Sequence, residues 1–477
     1  MKARFGIFIL LVVSSLAFRC NKQNDDTPVA EPEQTVADVD FYLTKPDKSA
    51  LLAQQKDAIF ESTTNNLPFI AIDSNNTYQQ MEGFGFSLTG GSALHIQNMS
   101  PGNRHAILEE LFGTQEGDIG ISYLRVSIGS SDLDPEVFSY DDLPAGQTDV
   151  DMEHFSLDHD REYLIPVLKE ILQINPAIKI MGSPWSAPVW MKTNHSSVGG
   201  SLKPEYYEAY ATYFVKYIQG MADEGITLDA ITVQNEPLYG GNNPSMEMQA
   251  NEQANFVKNN LGPAFQAAGI ATKIIVYDHN CDRTDYPVTI YQDAGAAKYV
   301  DGAAFHLYGG SINSLEALHN AYPDKNLYFT EQWIGAPGDF GNNLNWHVRE
   351  LIIGATRNWC KTVLEWNLAS NSSLEPHTDG GCDQCLGGLT INNDNVVRNP
   401  GYYIVAQASK FVRPGAVRIK SNYLDKLPNV AFKNTDGTIV AIVLNDSDSS
   451  MKFNIKKENR TVTTTLTKGA VGTFIWH

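Results

Sequence analysis

Short apolar runs recur along the middle of the chain, and most of them end in a polar cluster. In order they are Met81–Ser87, Ile121–Ile128, Ile178–Ser183, Ala230–Asn235, Ile274–Tyr277, Gly302–His306, Leu327–Thr330 and Thr362–Trp366. Their length and β-branched content predict buried strands. Between most of them, apolar positions return at helical spacing. The clearest case is Pro204 to Glu224, with Pro204 near its first turn and Gly225 past its end. Tyr206, Tyr210, Phe214, Tyr217, Ile218 and Met221 fall on one face there, which reads as core. Repeated strand-then-helix units predict a (β/α)8 TIM barrel over residues 77–400.

After Pro400 the rhythm shortens. Val417–Ile419, Val430–Phe432, Ile439–Leu444, Lys452–Ile455, Thr461–Thr465 and Gly472–Trp476 read as short strands, with Asp436-Gly437 as a hairpin turn. These predict an attached antiparallel β-sandwich over 401–477. The run Leu67–Asp73 supplies its first strand, in segment 67–76, so the barrel is inserted within one β-domain.

The N-terminal pattern is of another kind. Lys2 and Arg4 precede the apolar run Phe5 to Val13, which is too short to span a bilayer. Residues 1–19 are expected to be a signal peptide. Cys20 resembles the lipid-acceptor cysteine of a bacterial lipoprotein, with a plain secretory leader as the alternative. Residues 20–66 are polar and weakly patterned and are expected to form a lipid-anchored tether. The expected location is the outer membrane, on its surface or periplasmic face, with the lipid as the only membrane contact.

Composition narrows the ligand. The 477 residues are 42% hydrophobic and 19% charged, as in ordinary globular proteins. The net charge of −20 argues against a nucleic-acid partner, since phosphate binding needs clustered Lys and Arg. A neutral ligand is the easier expectation, and nothing in the chain calls for an oligomer.

Two polar clusters carry the chemistry. Ile231 to Pro237 ends in Gln234-Asn235-Glu236-Pro237, and Tyr328 to Trp333 contains Glu331. Counting strands puts Glu236 after the fourth and Glu331 after the seventh, so both face the same barrel mouth. Facing carboxylates are what glycoside hydrolysis needs: one donates a proton and the other attacks the anomeric carbon. Arg125 in the second strand supplies a cation to hold a carboxylate ionised. Asp132, Trp185, Asn235, His306, Tyr308 and Trp366 sit at or just beyond other strand ends. Asp132 is suited to accept from sugar hydroxyls, Asn235 to bond a 2-hydroxyl and Trp366 to floor one sugar. This chemistry requires no cofactor and no metal.

Several stretches together resemble glycoside hydrolase family 30. They are Met81-Glu82-Gly83-Phe84-Gly85, Tyr123 to Val126, Ser183 to Asn194, Gln234 to Pro237, Phe329 to Trp333 and Glu365 to Ala369. The resemblance implies a retaining mechanism, with Glu236 as general acid/base and Glu331 as nucleophile. By position it also assigns Asp132, Trp185, Asn235, Trp366 and Asn399 to the reacting sugar, and Tyr308 to the nucleophile's surroundings. The loop His377 to Cys385 and the Gln332-Trp333 pair resemble endo-β-1,6-glucanases. The expected partner is therefore a β-linked glucan polysaccharide or oligosaccharide, cut internally. An exo-acting glucosidase or glucosylceramidase, a β-1,4-xylanase and a non-catalytic glycan-binding lipoprotein are the alternatives. Cys382 and Cys385 are read as a small-ring disulfide, with free thiols or half a metal site as the other options. Cys281 and Cys360 are read as unpaired.

Overall fold

The computed structural model describes residues 39–56, 65–458 and 460–477. The leader, Cys20 and the first part of the tether lie outside the described residues. The predicted strands form one closed parallel barrel. They are β1 (Gly83–Ser87), β2 (Tyr123–Ile128), β3 (Lys179–Pro184), β4 (Ala230–Thr232), β5 (Lys273–Asn280), β6 (Val300–His306), β7 (Asn326–Glu331) and β8 (Cys360–Asn367). β8 pairs with β1 and closes the cylinder. Its interior is packed rather than hollow: Tyr123, Met181, Ala230, Ile275, Ala304, Tyr328 and Leu364 form one buried layer drawn from seven strands. The helix Tyr207–Asp223 buries Tyr210, Tyr213, Phe214 and Tyr217, so its aromatic face is core as its spacing predicts.

The foot of the barrel is tied by charge. Glu82, just before β1, is ringed by Lys179 at 3.0 Å, Lys273 at 3.1 Å and Lys361 at 2.9 Å. Those lysines stand at or near the starts of β3, β5 and β8. Burial alone would raise the Glu82 carboxyl, but the three ammonium groups bring it down to about 2.

The second domain is a nine-stranded sheet. Its strands are mostly antiparallel and come from both sides of the barrel in sequence. Val39–Thr44 pairs with Val471–Trp476, Val39 lying opposite Trp476. Phe69–Gln80 pairs with Val417–Ser421. The sheet curls on itself. Phe453 and Phe474 lie on strands far apart in sheet order, yet their ring centroids are 6.5 Å apart inside one apolar cluster.

Three boundaries need correction. The tether expected over 20–66 is not a tether throughout, because Val39–Thr44 and Ala53–Gln54 are strands. Val39 and Leu43 are buried against the sheet core, which stabilises a segment whose polar surroundings hide its pattern. The strand expected within 67–76 runs on from Phe69 to Gln80. The sandwich expected from 401 begins later, because Pro400–Ser409 is a helix packed on the barrel.

Candidate active site

β4 is short, and its backbone turns sharply beyond Thr232. Glu236 has φ +45°, an uncommon conformation for a residue with a side chain. The turn is held by its N–H donating to Asp278 O at 3.0 Å and by Tyr239 N–H donating to Glu236 O at 2.9 Å. Glu331 needs no such turn, since it is the last residue of β7. One carboxylate oxygen from each glutamate and a nitrogen of His306 all lie within 4.8 Å of one another. Both acids therefore meet in one place.

Arg125 organises the floor. Fully buried, it donates to Glu331 Oε2 at 2.7 Å, to Asp278 Oδ2 at 2.8 Å and to Asn235 Oδ1 at 2.7 Å. Its guanidinium lies 4.8 Å from the Trp185 ring centroid and 5.9 Å from that of Trp366. Those two indoles stack at 5.4 Å. Asp278 also accepts from Ser183, Thr232 and Thr330, and burial is overcome by Arg125 and His306, so it is held well below the usual carboxylate range.

His306 bridges the acids. Its Nε2 lies 3.1 Å from Asp278 Oδ1, and its Nδ1 lies 3.3 Å from Glu236 Oε1 and 3.7 Å from Glu331 Oε1. Burial opposes its charge, but the surrounding carboxylates push its pKa up to about 10. The ring is then a cation with both nitrogens donating.

Tyr308 donates its hydroxyl to Glu331 Oε1 at 3.0 Å. Both glutamates thus have a donor on each oxygen, but those on Glu331 lie closer, at 2.7 and 3.0 Å, than His306 Nδ1 and Asn242 Nδ2 on Glu236, both at 3.3 Å. Burial lifts the Glu331 carboxyl, with Glu236 and Asp278 adding to the rise against His306 and Arg125. Burial is outweighed at Glu236 by His306, His279 and Arg125, which lower it. Those shifts alone favour the reverse of the proton placement that hydrolysis needs. The hydrogen bonds favour the productive one, since the shorter donors on Glu331 hold a carboxylate more firmly than the longer ones on Glu236. Like charges this close share a proton, and the two acids titrate as a pair.

The cleft above has a volume of about 480 Å³. Of the expected residues, Asp132, Trp185, Glu236, Tyr308, Glu331 and Trp366 line it. Asp132 is raised to about 7 by burial and by the Glu331 charge, and it accepts from the Cys382 N–H at 3.3 Å. Asn235 sits beside Glu236, 4% exposed, with its carbonyl accepting from Arg125 and its amide nitrogen unpaired among the described residues. One expectation is corrected: Asn399 does not line the cleft. It precedes the helix Pro400–Ser409 and pins the neighbouring loop by donating to Gly387 O at 2.9 Å and Thr390 Oγ1 at 2.8 Å.

Cys382 and Cys385 form a disulfide on the cleft wall, and Cys281 and Cys360 are free and buried. The disulfide loop is stitched to the segment after β7 by Ala336 N–H to Gln384 O at 2.8 Å and Leu386 N–H to Ile334 O at 2.9 Å. Asp278, His279, Tyr239, Asn242 and Trp333 were not picked out from the sequence as site residues. Tyr277-Asp278-His279-Asn280 is a polar cluster closing an apolar run, the same signal that exposes Glu236.

Residues 81–412 match the glycosyl hydrolase family 30 TIM-barrel domain and residues 415–474 match its beta sandwich domain. An endo-1,6-beta-D-glucanase of Neurospora crassa is 36% identical over 386 residues, covering 77% of this chain and 79% of that one. One of Aspergillus fumigatus is 34% identical over 402 residues, covering 78% and 80%. The lysosomal acid glucosylceramidase of Mus musculus is 27% identical over 450 residues, covering 88% and 85%. Among solved structures, an endo-beta1,6-glucanase superposes with a TM-score of 0.86 at 38% identity, over 92% of this chain and 99% of that one.

Proposed function

The chain belongs to glycosyl hydrolase family 30, and on that premise we propose that it is a retaining endo-β-1,6-glucanase. The observation that carries the chemistry is the approach of the two glutamate oxygens to within 4.8 Å. Carboxyl groups set about 5 Å apart suit retention, because no room is left for a water between the attacking carboxylate and the anomeric carbon. The identity to endo-1,6-beta-D-glucanases over most of the chain supports the linkage.

In the first step a Glu331 carboxylate oxygen bonds to the anomeric carbon. The bond from that carbon to the leaving oxygen breaks, and Glu236 gives the departing oxygen its proton. Arg125 and Tyr308 hold Glu331 ionised and aimed. His306 stabilises the carboxylate that Glu236 becomes. In the second step Glu236 takes a proton from water, the water oxygen bonds to the anomeric carbon, and Glu331 leaves. Trp366 and Trp185 form apolar surface beside the sugar, and Asp132 accepts from its hydroxyls.

Replacing Glu331→Gln is expected to lower turnover on β-1,6-glucan on the order of ten-thousandfold while the far-ultraviolet dichroism is unchanged. Digestion of a panel of defined β-glucans tests the substrate. A ladder of β-1,6-linked oligosaccharides is expected. Glucose alone would favour exo attack, and no cleavage of any β-glucan would defeat the reading.

We also propose export with a lipid on Cys20. The leader pattern supports this, as does the Cys382–Cys385 disulfide, a bond that persists in oxidising compartments. Mass analysis of the mature N-terminus is expected to find an acylated Cys20.

A further inference from the structure

A second cavity of about 450 Å³ shares no residue with the catalytic cleft. It is lined by Arg357 and Trp359, just before β8, and by Tyr78, Arg418 and Tyr423 of the β-domain. Arg418 is only 6% exposed. Its guanidinium stacks 3.7 Å from the Tyr78 ring centroid and 5.2 Å from that of Trp359. Its Nε donates to Gln79 Oε1 at 2.9 Å. Arg357 stacks 5.1 Å from the Tyr423 centroid and donates to Ser421 Oγ, Ser421 O and Asn429 O.

Every partner of these two cations is neutral. Among the described residues neither makes an ion pair, although the chain as a whole carries a charge of −20. The other cation on the wall, Arg349, is taken by Glu350 at 2.9 Å and Asp446 at 3.2 Å. Glu316 stands exposed at the rim and pairs with neither arginine. Like charges without a counter-ion, Arg418 buried and Arg357 half-buried, are costly, and guanidinium forks fit oxyanions.

We propose that Arg357 and Arg418 form a binding site for a small oxyanion, a phosphate or a carboxylate group, clamped between the barrel and the β-domain. The lowered affinity of both arginines for their protons agrees with this. Burial brings Arg418 down to about 10, with the Arg357 charge adding, and burial lowers Arg357 as well. An anion between them would relieve both. The Tyr78 and Trp359 rings hold the Arg418 fork, whose two Nη atoms make no hydrogen bond among the described residues, while Arg357 has both Nη atoms on Ser421 and Asn429 and adds its charge beside it.

Calorimetric titration of the full chain tests the site, with inorganic phosphate in one arm and glucuronate in the other, at matched ionic strength in chloride. Saturable binding of at least one is expected, and the tighter arm identifies the source of the oxyanion. Arg418→Gln is expected to weaken binding about tenfold or more. Glu316→Gln removes a rim charge from an exposed position and is expected to tighten binding about twofold. If Arg418→Gln fails to fold, Glu316→Gln and Glu316→Lys decide, the latter giving the larger gain. No saturable binding in either arm, or an affinity indifferent to these charges, overturns the proposal.

Discussion

The hydroxyl of Tyr308 and the Nη1 of Arg125 grip opposite oxygens of Glu331. Removing the hydroxyl leaves the ring and the fold in place but takes away one donor that favours the ionised nucleophile. Tyr308→Phe is expected to lower kcat about tenfold to a hundredfold with little change in melting temperature. His306 makes a different prediction. Its folded pKa is raised from 6.5 to about 10. The stability it contributes is therefore whole below about pH 6.5 and is lost as pH rises toward 10. His306→Asn is expected to flatten that decline in chemical unfolding between those pH values, and an unchanged slope would remove His306 as its cause. At this scale the sequence was partly legible. The glutamates announced themselves because each polar cluster closed a strand. Asp278 closed one too, but the fifth run was cut at Tyr277. The departure is physical: Tyr277 and Asp278 both have positive φ, and the pairing register slips between Tyr277 and His279. The role of Asn399 was not legible, because position relative to a motif does not say which way an amide is bound.

Two elements flank the chemistry from opposite ends of the barrel. At the foot, Glu82 gathers three lysines from three strands. Its carboxyl is depressed to about 2, so its contribution is present above about pH 4.5 and is lost as pH falls through 2. Glu82→Gln is expected to destabilise the protein by about 2 kcal/mol at neutral pH, with kcat unchanged, since the reacting atoms lie at the other end. At the mouth, the disulfide loop supplies the Cys382 N–H to Asp132. Replacing both Cys382 and Cys385 by Ala is expected to raise KM more than it lowers kcat, measured on a defined β-1,6-linked oligosaccharide. The barrel strands were legible as elements because each is a compact apolar run. Val39–Thr44 was not, because a six-residue strand following a long polar stretch gives little alternation to read.

The whole molecule was legible as a barrel inserted in a β-domain, but not in how completely that domain depends on distant parts of the chain. Val471–Trp476 lies between Ile439–Leu444 and Val39–Thr44, so both of its edges are filled. A chain beginning at residue 45 would bare the edge of that strand. It is expected to melt at lower temperature and to aggregate on heating, as light scattering would record. The pairing of Val39 with Trp476 also sets a timetable. During synthesis, Val39–Thr44 can pair one edge locally with Ala53–Gln54, but its other edge must wait until Val471–Trp476, far along the chain, emerges. Local barrel units can assemble in the meantime, but that seam cannot close, so a chain lacking Val471–Trp476 would leave this edge of Val39–Thr44 permanently bare.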